Sequence, residues 1–502
     1  MSENGECRAA SRFIINAMDR TEEPKTAQAV ALDGDTCYRA MLAHDQRFDG
    51  RFFVAVRSTR IYCRPICRVR MPKRENCTFH RSAAAAESFG FRPCLKCRPE
   101  LAPGWATTEA GNRLAQRAAF SMDSGEFDQS SLRDLAGKLG TTDRHLRRVF
   151  NEHFGVSPIE YAQTHRMLLA KQLLTDTRLE VTEIAFASGF RSLRRFNALF
   201  KERYRLTPSQ LRREGRPMAS DRLTFRLAYR APLDWDHLLG FLKTRAVDAV
   251  EVVEGDQYAR TVEFPAKGWL IARPVKDRSL IEVELSVSLA PHVSKVLRRL
   301  RHVFDLDCSP DLVAQALGDL AQMNPGIRLP GAWDGFELAV RAVLGQQITV
   351  KAARTLAGRF ARRFGGAWDI ATPVAGLGAF FPSAPRIATC SVSDIAELGI
   401  ISSRARSLIA LAQAIDSGEL TLAPGADVDA ALARLVSLPG IGDWTAQYIA
   451  MRALAWPDAF PASDLVVMKA LGVTRPKQAA AIAEAWRPWR AYSVIHLWNQ
   501  AT

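Results

Sequence analysis

Apolar residues recur at helical spacing over most of this chain, and two segments depart from that pattern. Residues 107–213 show the period of about 3.6 residues that predicts helices, with short Gly or Pro breaks, and residues 292–502 return to it. Between them, residues 220–291 contain four strand-like stretches and one helix. Residues 29–102 combine a strand-like run, Phe52–Val56, with a cluster of cysteines.

These patterns predict a multidomain protein, in agreement with the three or four domains expected for a chain of 502 residues. A polar segment without periodicity, residues 1–28, is expected to form a loose tail. Short Gly- and Pro-containing stretches at residues 103–105 and 214–217 are expected to be linkers. The four predicted domains are a small α+β module at 29–102, an all-α domain at 107–213, an α+β domain at 220–291 and an all-α domain at 292–502.

The first all-α segment contains an internal repeat. Residues 131–158 recur loosely as residues 180–208, with Gly140 matching Gly189 and Phe150 matching Phe200. Each copy has the pattern helix, turn, helix. Two copies predict two DNA-contacting modules rather than a solenoid, which needs about three or more repeats.

The second helix of each copy is rich in basic residues on its predicted exposed face. A recognition helix presents such side chains to the major groove, although a solvated helix of an ordinary bundle can look the same. Segment 110–213, with FGVSPIEY and YRLTPSQLR, resembles the AraC-type regulator domain. That resemblance implies a double helix-turn-helix domain, with promoter DNA and RNA polymerase as partners. The expected DNA-binding residues are Arg144, His145, Arg147, Arg148, Arg191, Arg194 and Arg195.

The charge distribution also favours a polyanionic partner. The net charge is +15, and residues 1–220 hold 37 Lys and Arg against 25 Asp and Glu. No apolar run is long enough to span a bilayer, and charged residues interrupt the beginning of the chain. We therefore expect a soluble, monomeric protein of the bacterial cytoplasm, associated with the nucleoid.

Nine cysteines are present, and six of them fall within the first predicted domain. Cys63 and Cys67 form a C-x3-C pair, Cys94 and Cys97 form a C-x2-C pair, and 26 residues lie between Cys67 and Cys94. Two such pairs can supply the four thiolates of a closed tetrahedral zinc site. By spacing alone, a site of this kind is most often a structural staple. Cys37 and Cys77 stand outside the pairs and are expected to be buried apolar residues.

The sequence around these pairs, DGRFFVAVRSTRIYCRPICRVR to GFRPCLKCRPE, resembles the N-terminal module of Ada-type methylation-response regulators. The resemblance implies that Cys63 accepts a methyl group from a DNA methylphosphotriester, while Cys67, Cys94 and Cys97 complete the zinc site. Arg70 matches a DNA-contacting arginine of that family. The arginines expected to hold phosphates around the ligands are Arg64, Arg68, Arg70, Arg92 and Arg98.

Methylation of such a site would change its charge. Zn2+ bound by four thiolates retains two negative charges, and conversion of one thiolate to a thioether leaves one. Contacts with phosphates dominate DNA affinity. Methylation of Cys63 should therefore tighten DNA binding.

The second half contains the segment LPGIGDWTAQYIAMRAL. Gly440 and Gly442 allow a tight hairpin between two helices, whose free N–H groups can approach a phosphate. Asp464 follows 22 residues after Gly442. From the local sequence it is either a helix N-cap or a carboxylate that stabilises the sugar cation formed when an N-glycosidic bond breaks.

Residues 221–500 resemble AlkA-type 3-methyladenine DNA glycosylases of the helix-hairpin-helix superfamily. The shared stretches include DWDHLLGFLKTRAVDAVE, LPGIGDWTAQY and WRPWRAYSVIHLW. The resemblance implies a TBP-like α+β domain followed by a helix-hairpin-helix glycosylase domain with Asp464 as the catalytic residue. It also implies a monovalent cation at the carbonyls of Leu438–Gly442 and Gln347 at the position of the DNA-opening wedge. The implied base pocket consists of Trp444, Tyr448 and Trp498.

Two departures refine this picture. Trp444 stands where lyase-type members carry a lysine, so we expect a monofunctional glycosylase. The Pro-Cys-His-Arg motif of O6-alkylguanine transferases is missing from the sequence. The leading hypothesis is a bifunctional protein that senses methylated DNA and excises alkylated bases. The alternatives are a regulator whose glycosylase-like half only binds DNA, and a repair enzyme whose first half only recruits it.

Overall fold

The computed structural model describes residues 33–104, 113–125, 127, 131–214 and 222–500. The predicted tail and most residues of the two predicted linkers lie outside this part of the chain. The described part is multidomain and mainly helical, with two β-sheets. No helix in it is long and apolar enough to cross a membrane.

The first sheet belongs to the cysteine-rich module. Its strand order is β3-β1-β2-β4, with β2 antiparallel to β1 and parallel to β4. Because parallel strands end at the same edge of a sheet, the end of β2 and the residue after β4 become neighbours, and Cys94 N donates to Tyr62 O (3.0 Å). The elements are α1 Gly34–Leu42, β1 Phe53–Val56, β2 Ile61–Cys63, β3 Cys77–His80, α2 Ala83–Ser88 and β4 Arg92–Pro93.

The repeat of the sequence forms two helix-turn-helix units. Thr142 caps one second helix and Ser192 caps the other, each accepting a bond from the backbone N–H three residues later. Gly140 and Gly189 occupy the turns with positive φ. The helices are α3 Arg113–Asp123, α4 Leu132–Lys138, α5 Asp143–Phe154, α6 Pro158–Asp176, α7 Val181–Ala187, α8 Leu193–Tyr204 and α9 Pro208–Glu214.

The second sheet is antiparallel throughout, with strand order β5-β9-β8-β7-β6. All four stretches with strand-like patterns form strands, and the sheet contains a fifth strand that the sequence pattern did not predict. That fifth strand, β6, has only four residues and pairs with β7 alone at the edge of the sheet. The elements are β5 Arg222–Ala228, α10 Trp235–Arg245, β6 Glu251–Glu254, β7 Gln257–Glu263, β8 Lys267–Pro274 and β9 Leu280–Ser286.

The remaining chain is helical, as predicted. Its central helix, α14, buries almost every residue, since other helices pack around it. The helices are α11 Val293–Val303, α12 Pro310–Leu317, α13 Asp319–Gln322, α14 Gly335–Leu344, α15 Val350–Phe364, α16 Ala384–Ala388, α17 Val392–Ala396, α18 Ser402–Asp416, α19 Val428–Ser437, α20 Asp443–Arg452, α21 Leu465–Ala470, α22 Pro476–Ala483 and α23 Arg490–Gln500.

The apolar cores extend across the boundaries expected from the sequence. One cluster combines Phe196 and Phe200 of α8 with Leu223 and Phe225 of β5. Another joins Ala84 and Ala85 of α2 to the first helix-turn-helix unit. Burial of shared apolar surface is the main favourable term in folding, so the regulator-like and glycosylase-like halves support each other.

Candidate functional site

Four cysteine sulfurs meet at one edge of the first sheet. Their Sγ atoms all lie within 4.8 Å of one another, and three of the four residues are buried. Sulfurs bound to Zn2+ at about 2.3 Å in a tetrahedron lie about 3.8 Å apart, so this cluster is compact enough for zinc. The backbone N–H of Arg64 donates to Cys97 Sγ (3.3 Å), the kind of supporting bond that orients a metal ligand. The four residues are Cys63, Cys67, Cys94 and Cys97.

Two arginines beside this cluster are engaged inside the protein. Arg64 forms a buried ion pair with Asp49 and also donates to Cys97 O (3.2 Å). Arg98 pairs with Asp176 (2.7 Å) and Glu100 (2.9 Å). The expectation that Arg64 and Arg98 hold phosphates is therefore wrong, because desolvated carboxylates hold both groups.

The other basic residues near the cysteines remain accessible. Arg68 and Arg70 are exposed, and Arg92 is half-buried at β4. Cys37 and Cys77 lie away from the metal cluster in a small apolar core with Phe52. Burial raises the pKa of the Cys37 thiol to about 11, which suits a thiol that packs rather than reacts.

The second helices of the two helix-turn-helix units present similar basic faces. Apolar residues such as Leu146 of α5 and Phe196 of α8 are buried against the other helices. Two arginines of α5 form ion pairs along the helix, Arg147 with Asp143 (2.8 Å) and Arg148 with Glu152 (2.8 Å). The exposed predicted residues are Arg144, His145, Arg147, Arg148, Arg191, Arg194 and Arg195.

Asp464 serves both as a helix cap and as the centre of a polar cluster. As the N-cap of α21, it accepts a bond at Oδ1 from the backbone N–H of Val467 (2.9 Å). Trp498 Nε1 donates to the same oxygen (3.1 Å), and Trp444 Nε1 donates to Oδ2 (2.9 Å). The carboxylate is only 7% exposed. Asp464 can therefore be both a helix N-cap and a stabilising carboxylate, because the cap bond uses only one acceptor position and two indole N–H groups bind at others.

Aromatic rings surround this carboxylate. Trp444 stacks on Tyr448 with ring centres 5.3 Å apart and an interplanar angle of 7°. Tyr448 lies 6.3 Å from Trp498, whose other neighbour, Phe241, is stacked at 6.5 Å. Phe241 comes from α10 in the other domain and was not among the residues predicted for the base pocket. Only its presence in the shared DWDHLLGFLKTRAVDAVE stretch could have indicated it.

The hydroxyl of Tyr448 is held by a buried guanidinium. Arg452 Nη1 donates to Tyr448 Oη (2.6 Å), and Arg452 also donates to the carbonyl oxygens of Pro330 (2.8 Å) and Gly331 (3.0 Å). Burial by itself raises the pKa of Tyr448, but the nearby guanidinium groups of Arg452 and Arg245 lower it below its usual value. Arg452 thus fixes the position of the Tyr448 ring within the aromatic cluster, and no sequence motif predicted this role.

The glycine hairpin between α19 and α20 has the expected geometry. Gly440 has φ +75°, and a Cβ atom there would lie 2.4 Å from Ser407 Oγ. Gly442 is the N-cap of α20, with no side-chain cap and no atom within 4 Å of its would-be Cβ. The first N–H groups of α20 therefore have room for an anion such as a phosphate.

Gln347 lies in the exposed turn between α14 and α15. Its φ is +56°, and its side chain is exposed. The residue before it reaches the hairpin: Gln346 Nε2 donates to Gly440 O (2.9 Å) and to Thr445 Oγ1 (3.1 Å). The turn and the hairpin are thus joined by one side-chain amide.

Family models match four segments of the chain. They are the metal binding domain of Ada (residues 36–100), a helix-turn-helix domain (135–214), the AlkA N-terminal domain (224–334) and the HhH-GPD superfamily base excision DNA repair protein (340–490). A protein of Mycobacterium tuberculosis, named "Probable bifunctional transcriptional activator/DNA repair enzyme AlkA", is 37% identical over 93% of this chain and 96% of its own length.

The chain belongs to this family of bifunctional AlkA proteins. Two Escherichia coli proteins match separate parts of it. DNA-3-methyladenine glycosylase 2 is 37% identical over 55% of this chain and 96% of its own length. The bifunctional transcriptional activator/DNA repair enzyme Ada is 31% identical over 38% of this chain and 52% of its own length. The bifunctional AlkA chain thus joins a zinc-binding Ada domain and a helix-turn-helix domain to a base-excision repair domain.

Proposed function

We propose that this protein takes a methyl group from a DNA methylphosphotriester onto Cys63, thereby activates transcription, and also excises alkylated bases such as 3-methyladenine and 7-methylguanine. The observation that carries the proposal is the presence of two complete sites in one chain. One is the four-cysteine cluster. The other is Asp464, held by two indole N–H groups among aromatic rings.

In the methyl transfer, Cys63 Sγ attacks the methyl carbon of the phosphotriester. The sulfur–carbon bond forms as the carbon–oxygen bond breaks, and a phosphodiester anion leaves. Bound zinc supplies a thiolate that stays deprotonated at neutral pH. Cys97 Sγ already accepts the N–H of Arg64, which withdraws electron density from that sulfur and favours another ligand as the nucleophile. The transfer is irreversible for the chain, so Cys63 acts once.

Solvent-accessible arginines would bring DNA to these sites. Arg70 and Arg92 would contact phosphates around the cysteine cluster, and the basic faces of α5 and α8 would enter the major groove of promoter DNA. Methylation removes one negative charge beside the DNA backbone, which favours binding. We also include RNA polymerase as a partner and a monomeric state in this proposal.

In base excision, the damaged base would leave the helix and stack among Trp444, Tyr448 and Trp498. An alkylated purine carries positive charge, and electron-rich rings favour such a base through cation–π contacts. As the N-glycosidic bond breaks, Asp464 stabilises the positive charge that develops on the sugar. The base leaves as a neutral purine with the electron pair of that bond, and water then adds to the sugar carbon and gives up one proton to the solvent. Trp444 cannot form a Schiff base, so the DNA strand stays intact.

The hairpin would anchor the DNA beside this pocket. The N–H groups that follow Gly442 would bind a phosphate. Carbonyl oxygens of the segment Leu438–Gly442 would hold a monovalent cation, and Gln347 would occupy the gap left by the extruded base.

One experiment tests both halves of the proposal. Methylated duplex DNA is incubated with the full-length protein, released bases are separated by chromatography, and peptides are examined by mass spectrometry. We expect released methylated purines and one methyl group on the Cys63 peptide. Base release without methylation of Cys63 would refute the methyl-acceptor role, and methylation of Cys63 without base release would refute the glycosylase activity.

A further inference from the structure

The turn that carries Gln347 is fixed from two sides. Arg404 Nη2 donates to the main-chain oxygen of Gln346, and the side-chain amide of Gln346 donates to Gly440 O and to Thr445 Oγ1. These partners come from α18, from the hairpin and from α20. Gln346 is therefore the residue through which the exposed turn is held to the phosphate-binding hairpin.

The bond from Gln346 to Thr445 also connects the turn with Asp464, the proposed catalytic carboxylate. Thr445 is 3% exposed and follows Trp444 directly in α20. Trp444 in turn donates to Asp464 Oδ2 (2.9 Å). The position of the Gln346–Gln347 turn is thus fixed by α20, the same helix whose Trp444 orients Asp464. Gln347 is the next residue after Gln346, and its side chain is exposed.

Base excision from a duplex requires that the wedge, the base pocket and the phosphate-binding hairpin lie at matching positions along the DNA. The wedge must open the helix at one base pair, and the pocket must receive the base from that same pair, while the hairpin holds a nearby phosphate. Misplacement of such groups by about 1 Å can reduce a rate about 100-fold. A fixed link between the wedge and the hairpin would satisfy this requirement.

We propose that Gln346 is the positioning residue for base extrusion. Its amide holds the Gln347 turn in register with the hairpin and with the Trp444–Asp464 pair. This inference rests on the proposed glycosylase function. It assigns Gln346 no contact with the reacting atoms, so its effect is confined to substrates in which a base must leave a helix.

The test compares full-length wild type with Gln346→Met, which keeps the length of the side chain and removes both amide hydrogen bonds. Single-turnover base release is measured on a duplex with one 7-methylguanine and on the same strand without its complement. We expect the duplex rate to fall about tenfold, as for loss of hydrogen bonds to fixed partners, and the single-strand rate to stay within about twofold of wild type. Gln413→Met is the matched control, since it makes the same change at an exposed glutamine of α18 whose amide donates to Ala388 O (3.3 Å) and not to the hairpin.

A second readout does not depend on chemistry. A 2-aminopurine opposite an abasic-site analogue reports opening of the helix by its fluorescence. Wild type should raise the fluorescence, and Gln346→Met should raise it less at saturating protein. Thr445→Val removes one partner of the amide, and its effect on duplex rate should not add to that of Gln346→Met.

Equal losses on duplex and single strand, or an unchanged duplex rate in Gln346→Met, would overturn the positioning role. If wild type releases no base from either substrate, the proposed glycosylase function fails instead. The fluorescence measurement then still decides whether Gln346 controls opening of the helix. Thermal unfolding of each variant shows whether a lost rate comes from an unfolded chain.

Discussion

Arg230, two residues after strand β5, donates to the main-chain oxygen of Asp49 in the cysteine-rich module (3.0 Å). The Arg230 side chain is completely buried, and it also donates to the carbonyl oxygens of Asp307 (2.8 Å) and Gly104 (2.6 Å). The carboxylate of Asp49 pairs with Arg64, whose N–H supports a cysteine ligand. One buried network therefore connects the metal cluster with the repair domain.

This network predicts that the metal site and the repair half unfold together. All ten tryptophans except Trp105 lie between residues 222 and 500, so tryptophan fluorescence reports the repair half. We expect a zinc chelator to lower the fluorescence-detected Tm of wild type and to have a smaller effect on Arg230→Met. Arg226→Met is the control, because Arg226 lies in the preceding strand, β5, and is exposed. An identical Tm with and without zinc in wild type would contradict the prediction.

Asp464→Asn keeps the shape of the side chain and the ability to cap α21, since Asn is as good an N-cap as Asp. It removes the charge that stabilises the sugar cation. We expect base release to fall by about 100-fold or more, with unchanged binding to DNA with an abasic-site analogue. The Tm should fall modestly, because the NH2 group of Asn cannot accept the N–H of Trp444 and leaves that buried donor without its bond. A variant that retains full activity would remove Asp464 from the mechanism. A borohydride-trapped adduct of wild type would contradict the monofunctional assignment.

Trp444→Phe separates the two contributions of the indole. A phenyl ring still stacks on Tyr448, whereas the N–H that orients Asp464 Oδ2 is lost. We expect kcat to fall about tenfold, as for loss of a hydrogen bond to a charged group, with a smaller change in KM. Measurement of both constants on methylated duplex DNA checks this. A rise in KM at constant kcat would show that the indole acts in base binding alone.

Cys63→Ala removes one of four zinc ligands. We expect the variant to lose zinc to a competing chelator at concentrations that leave wild type intact, and to take up no methyl group from methylated DNA. Cys77→Ala is the matched control, because Cys77 is also buried in the module but lies outside the cluster. Metal analysis and peptide mass spectrometry provide the readouts. A methyl group found on Cys67, Cys94 or Cys97 would refute the acceptor assignment.

His302 predicts a loss of stability in acid. Burial, together with the nearby Arg298, lowers the pKa of this histidine to about 3, so the folded chain keeps it neutral while the unfolded chain binds a proton below about pH 6.5. The contribution of His302 to the free energy of unfolding is therefore fully present above pH 6.5. It decreases as the pH falls, by about 2 kcal/mol at pH 5. Urea unfolding at pH 5 and pH 7.5 measures this. In His302→Gln, which keeps an acceptor for Ala332 N, the difference should be smaller.

The sequence by itself indicated where the two candidate sites of this protein lie. The two cysteine pairs, the repeated helix-turn-helix unit, the hairpin glycines and Asp464 all lie in short segments. Spacing and residue type predicted a four-thiolate metal site there, whereas the expected roles of Cys63 and Asp464 came from the resemblance to known families. The strand and helix patterns also predicted most elements, and the edge strand β6 was missed because four residues hold too little pattern.

Only the tertiary structure decided how these sites are supported. Phe241 joins the aromatic cluster from another domain, Arg64 turns inward to Asp49, and Gln346 reaches the hairpin almost a hundred residues away. The apolar cores also cross the boundaries that the sequence pattern predicted. Such contacts depend on the packing of elements that are distant in the chain, and the local periodicity of apolar residues does not predict them.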